Sequence, residues 1–139
     1  MNGRELHALL ERLDVRPSRR LGQNFLVDPN LLEAMVRQAD ITPGERVLEV
    51  GPGTGILTRR LLAAGADVTA VELDRRLAAY LRETFADEPR FRLLEQDACK
   101  VDYDELYGRH LYRCIANLPY ACSSVFLAAI VQSHNAPVQ

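Results

Sequence analysis

Hydrophobic positions along the 139-residue chain change their period near residue 45. Before that point they recur at helical spacing. Leu6, Leu9, Leu10 and Leu13 stand at i, i+3, i+4 and i+7 within 4–13, so they share one face of an amphipathic helix. A second helix is predicted over about 29–39, opened by the N-cap and first-turn pair Asp28 and Pro29 and ended by Thr42-Pro43-Gly44. Its inward residues are Leu32, Met35 and Val36. Between the two helices, residues 16–28 hold Pro17 and Gly22 with no period of either kind, which reads as a loop.

Beyond residue 45, short apolar and β-branched runs alternate with helical stretches. Strands are predicted at 46–50, 68–72, 91–95 and 111–116, and helices at about 55–64, 74–86 and 123–132. This alternation implies right-handed crossovers and a largely parallel sheet with helices on both faces, an α/β fold. The expected spatial order is 3-2-1-4. Four strands are half of an ordinary doubly wound sheet, so the sequence reads as truncated after the fourth strand and its helix.

Composition narrows the classes. A 47% hydrophobic and 26% charged chain fits a folded domain rather than a disordered one. With a formal net charge of −2, any nucleic-acid contact must come from a local patch, and Arg16, Arg19 and Arg20, within five positions, supply one. No apolar run approaches the roughly 18 residues of a membrane span. Glu5 and His7 interrupt the region where a signal peptide needs an apolar core, so a cytoplasmic location is expected. Cys99, Cys114 and Cys122, like His7, His110 and His134, match no disulfide or metal-ligand spacing. No metal is expected.

The first strand ends in Glu49-Val50-Gly51-Pro52-Gly53-Thr54-Gly55, which opens a helix. Glycines at alternate positions permit positive φ and a close ligand approach, although such a turn can also be purely structural. A dinucleotide fingerprint would need Gly or Ala where Ile56 stands, and a phosphate loop would need Lys after Gly55. The remaining match is the ExGxGxG pattern of methyltransferases that use S-adenosylmethionine (SAM). Glu72, at the tip of the second strand, can accept from both ribose hydroxyls; its alternative is a solvent-facing strand end or a cap, for which Asp74 is the better candidate. Asp97, ending the third strand, could accept the adenine amine or be an ordinary loop aspartate.

The fourth strand leads into Asn117-Leu118-Pro119-Tyr120. An exocyclic adenine nitrogen is a poor nucleophile because its lone pair is delocalised into the ring. Acceptors from the Asn117 side chain and an adjacent backbone carbonyl can hold its hydrogens and aim the lone pair at a methyl donor. Pro119 fixes φ within the turn, and Tyr120 offers a face for a flipped base.

With LGQNFL at 21–26, EVGPGTGILT at 49–58, VELD at 71–74, QDA at 96–98 and NLPY at 117–120, the sequence resembles the ribosomal RNA adenine dimethyltransferases. These methylate two adjacent adenines near the end of small-subunit ribosomal RNA. The resemblance implies a Rossmann-like SAM-dependent methyltransferase fold with SAM as cofactor and the immature small ribosomal subunit as partner. Residues 1–28 would form an N-terminal helix and a cofactor- and RNA-contacting loop. Residues 29–139 would form the N-terminal portion of the SAM-binding domain, without the family's helical C-terminal domain. Asn24 and Leu26 would close over the cofactor, Gly51 and Gly53 would lie along its methionyl end, Glu72 would hold its ribose and Asp97 its adenine. Asn117 would bind both cofactor and target amine, with Phe25 and Tyr120 stacking on the target base. The stretch Ala121-Cys122-Ser123-Ser124-Val125 departs from the family by lacking a Ser/Thr-Pro step. Two other readings stay open: an adenine methyltransferase acting on large-subunit RNA or DNA, and a non-catalytic RNA-binding or assembly factor with the same fold. Intact Asn117 and Tyr120 favour an enzyme. Without its missing part, the 139-residue chain is expected to be poorly active.

Overall fold

The computed structural model describes residues 2–15 and 29–116. Helix α1 (Gly3–Arg12) starts at a capping box: the Asn2 side chain accepts from the Glu5 amide, and the Glu5 carboxylate accepts from the Asn2 amide. Its leucine face does what the spacing predicts, with Leu9 and Leu10 buried and Leu6 and Leu13 half-buried. Helix α2 spans Pro29–Ala39, as expected. Leu32 is buried, and Met35 and Val36 pack beside it.

Four strands follow, β1 (Arg46–Val50), β2 (Asp67–Val71), β3 (Phe91–Leu94) and β4 (Arg113–Ala116), all parallel and in the order β3-β2-β1-β4. The predicted order is therefore observed, with strand ends displaced by one or two residues. Helices α3 (Ile56–Ala63) and α4 (Arg75–Thr84) make the crossovers. The predicted helix at 123–132 lies outside the described residues.

Alternation along the strands divides the core in two. Val47 and Val68 face one side, where they join Leu32, Leu57 and Leu61 of α2 and α3. Leu48, Val50 and Val71 face the other, under a short helix that the sequence pattern does not reveal, α5 (Tyr103–Tyr107). Tyr107 of α5 stacks on Tyr112, ring centroids 3.9 Å apart and planes 7° from parallel. Helices thus lie on both faces. At one edge, the Arg113 guanidinium bridges Glu45 and the Ala39 carbonyl, tying β4 to the end of α2. The N-terminal segment is fastened elsewhere: Val15 and Leu10 pack on Leu77 of α4, and Arg76 donates to the Asp14 carbonyl at 2.6 Å. Among the described residues no helix is long and apolar enough to cross a membrane.

Candidate active site

The carboxyl ends of β1, β2 and β3 meet at one rim, since Val50 pairs with Val71 and Val71 with Leu94. Ligands in open α/β sheets bind along such a rim. The glycine loop leaves β1 there. Gly51, Gly53 and Gly55 have φ of +71°, +59° and +82°, a region that residues with a Cβ adopt at a cost. The Gly51 amide donates to the Val71 carbonyl at 3.0 Å, which anchors the loop to β2 before it turns into α3.

The third glycine has a different job from the one its spacing suggests. A Cβ on Gly55 would lie 2.8 Å from Phe85 Cε2 and 2.9 Å from Leu81 Cδ2. Gly55 is therefore a packing residue that lets the start of α3 approach α4. Gly51 and Gly53, the two glycines expected to lie along a ligand, stand between the end of β1 and this packed position.

Glu72 is neither a solvent-facing strand end nor a cap. It is only 6% exposed, and its backbone amide continues the sheet by donating to the Leu94 carbonyl at 3.0 Å. Its Oε1 accepts from the Gly53 amide at 3.2 Å and its Oε2 from the Asp74 amide at 2.9 Å. The carboxylate thus braces the glycine loop against the start of α4, while Asp74 caps that helix through the Arg76 and Leu77 amides. Burial pushes the Glu72 pKa up, opposed by the Asp74 and Gly53 amide bonds. Each carboxylate oxygen has lone pairs beyond these bonds, so a diol could bind without displacing them.

Asp97 stands half-buried three residues past the end of β3. Its Oδ1 accepts from the Cys99 amide at 2.9 Å and caps the short 3₁₀ turn Ala98–Lys100. Asp97 is therefore a loop aspartate whose side chain is oriented by this cap at the same rim.

Two residues at this rim carry no role in the sequence reading. Glu49 is buried in β1 and accepts from Thr58 Oγ1 of α3 at 2.5 Å. Burial is the main cause that pushes its pKa up to about 7; the Thr58 bond opposes this and the nearby Glu72 charge adds to it. Leu73, between the two acidic residues of VELD, is 60% exposed, an apolar side chain held at the rim. Nothing in the sequence period marks either one, because both depend on how the loop and α4 close over the strand ends.

Asn24, Phe25, Leu26, Arg16, Arg19 and Arg20, and likewise Asn117, Leu118, Pro119 and Tyr120, lie outside the described residues. Asn117 directly follows Ala116, the last residue of β4.

Comparison with known proteins agrees with this geometry. The ribosomal RNA small subunit methyltransferase A of Corynebacterium efficiens is 45% identical over 124 residues, covering 86% of this chain and 43% of that protein. Its namesake in Moorella thermoacetica is 41% identical over 140 residues, covering 94% and 48%. The chain thus spans about half the length of the curated relatives it matches. The crystal structure of the 23S rRNA methyltransferase ErmE has a TM-score of 0.69 at 30% identity, over 81% of this chain and 44% of that one. A family model for ribosomal RNA adenine dimethylases matches residues 16–139, and on that match the chain belongs to the ribosomal RNA adenine dimethylase family.

Proposed function

We propose that this protein takes part in the SAM-dependent N6,N6-dimethylation of adjacent adenines in small-subunit ribosomal RNA. The observation that carries the reading is Glu72, a buried carboxylate held by the Gly53 and Asp74 amides at the junction of the glycine loop and the second strand. Such a carboxylate suits a ligand with a free ribose diol. The curated relatives at 41–45% identity favour the small-subunit substrate over the large-subunit one suggested by the 30% identical ErmE.

The residues fit SAM on grounds of local chemistry. Gly51 and Gly53 hold positive φ and carry no Cβ toward a ligand, Glu72 accepts the ribose hydroxyls, and Leu73 offers an apolar surface to a planar base. Asp97, oriented by its cap, accepts an exocyclic amine. On the family resemblance, Asn24 and Leu26 of the QNFL segment would close over the cofactor. Bound SAM supplies an electrophilic methyl group on a sulfonium sulfur.

The remaining work is geometric. Asn117 and a neighbouring carbonyl of Leu118 or Pro119 accept the hydrogens of the target amine, so that its lone pair turns from the ring toward the methyl group. Tyr120 and Phe25 stack on the flipped adenine, and the alkylated nitrogen gives up its proton to solvent. Arg16, Arg19 and Arg20 contact the RNA backbone.

Calorimetry with SAM and its demethylated product tests the reading. Glu72→Gln keeps the size of the side chain but replaces one acceptor oxygen by a donor. It should weaken binding by about 1–3 kcal/mol. Unchanged affinity, or tighter binding of a nicotinamide dinucleotide than of SAM, would overturn the assignment.

A further inference from the structure

The opposite edge of the sheet, where the strands begin, carries a feature that this chemistry does not use. A cleft of about 360 Å³ opens there between the strand starts and α5. Three of its lining residues are arginines, Arg46 of β1, Arg90 just before β3 and Arg92 within it, against a single aspartate, Asp67. Asp67 already pairs with Arg90 at 3.8 Å, and Arg90 also donates to the Gly65 carbonyl at 2.7 Å. Arg46 and Arg92, both exposed, have no ion pair among the described residues.

The sheet aims these two side chains at the same place. Thr69 pairs with Leu48 on one side and with Arg92 on the other, so Arg92 shares a face with Leu48 and hence with Arg46. Two strands across and two residues along put their Cα atoms about 12 Å apart, with the cleft between them. Phe91, Leu106 and Tyr107 supply the apolar part of the lining of the same cleft. In a chain of net charge −2, two guanidiniums on one cleft, unpaired among the described residues, form a local positive field. Guanidinium also matches phosphate geometry bidentately.

We propose that this cleft is a second phosphate-binding site, which grips a backbone phosphodiester of folded RNA away from the nucleotide presented for methylation. The inference rests on the RNA-modifying reading given above and extends it to the form of the substrate. Arg46 lies about 13 Å along β1 from Val50, at the far end of the sheet from the glycine loop. A short single strand occupying the cofactor rim does not need to reach this cleft, whereas a folded RNA can engage both edges. The two edges together select structured RNA.

The test uses the full 139-residue chain and the double variant Arg46→Gln/Arg92→Gln, with fluorescence anisotropy read across a salt series. The probes are a folded fragment of small-subunit ribosomal RNA, a short single-stranded adenine-containing oligonucleotide, and inorganic phosphate as competitor. For the folded fragment, the slope of log affinity against log salt should become shallower by about 1 in the variant, one phosphate contact being lost. Affinity for the oligonucleotide and for SAM should stay unchanged, and phosphate should compete only for the folded fragment. An unchanged slope, or an equal loss for the oligonucleotide, overturns the proposal. So does tight binding of inorganic phosphate with no change in the RNA slope, which would make the cleft a small-anion site. A wild-type chain that binds SAM but no RNA overturns it too, and leaves the cofactor site standing.

Discussion

Replacing Glu49 by Gln isolates one buried carboxyl whose cost to the fold depends on pH. Glu49 is buried in β1 and ionises near pH 7 in the folded chain, against 4.5 for an ordinary glutamate. The folded state therefore binds this proton more tightly than the unfolded state does. Below pH 4.5 the group is protonated in both states and costs nothing. Between 4.5 and 7 the unfolded chain gains charge that the folded chain resists, and stability is lost. Above 7 the loss levels off at about 3 kcal/mol, the free-energy equivalent of the displaced pKa. Glutamine keeps an oxygen for Thr58 Oγ1 and cannot ionise. Urea denaturation from pH 5 to 8.5 should show wild type losing stability through this window while Glu49→Gln loses about 3 kcal/mol less. Parallel stability curves for the two proteins would refute the argument, because they would mean that Glu49 reaches water or a cation in the fold.

Glu72 also has a raised pKa, and its carboxylate is the form that accepts two hydroxyls, so SAM affinity should begin to fall at a higher pH than a glutamate of pKa 4.5 would allow. Glu72→Gln should flatten that profile in calorimetry at several pH values. Gly55→Ala forces a methyl against Phe85 and Leu81 at positive φ and should cost about 1–3 kcal/mol in denaturant unfolding. Gly44→Ala meets nothing within 4 Å and should cost only the backbone strain, about 1 kcal/mol; equal losses would discredit the packing role of Gly55. Asp74→Ala removes the cap of α4 and should lower stability by about 1 kcal/mol. Replacing Arg16, Arg19 and Arg20 by Gln should lower the salt slope of RNA binding by up to about 3 and leave SAM binding alone, and an unchanged slope would reject that patch.

The sequence is most informative where period and punctuation act over many residues. The leucine stripe of α1 and the alternation of four strands with helices follow from local pattern, and the order β3-β2-β1-β4 is the usual arrangement of a doubly wound sheet rather than something the pattern itself dictates. Helix α5 escapes because five residues complete little more than one turn, so the i, i+4 spacing of Tyr103 and Tyr107 is never repeated and does not stand out as a period. Glu72 and Asp97 are legible as carboxylates at strand ends, but the way Glu72 holds two amides of separate loops is a tertiary fact. Gly55 shows the limit most clearly. In sequence it is one of three equivalent glycines, and only the approach of Phe85, thirty residues later, sets it apart.

That same contact makes the rim and the helix layer a single mechanical unit. The loop that would carry the ligand ends at Gly55, and Gly55 is seated against Leu81 and Phe85, at the far end of the helix that Asp74 begins. The loop cannot open without disturbing that seat, and α4 cannot fray at Phe85 without loosening the loop. By linkage the influence runs both ways. Ligand held at the rim should slow amide hydrogen exchange in the last turn of α4, where no ligand atom reaches. A smaller side chain at Phe85 should speed ligand release from a site that it never touches.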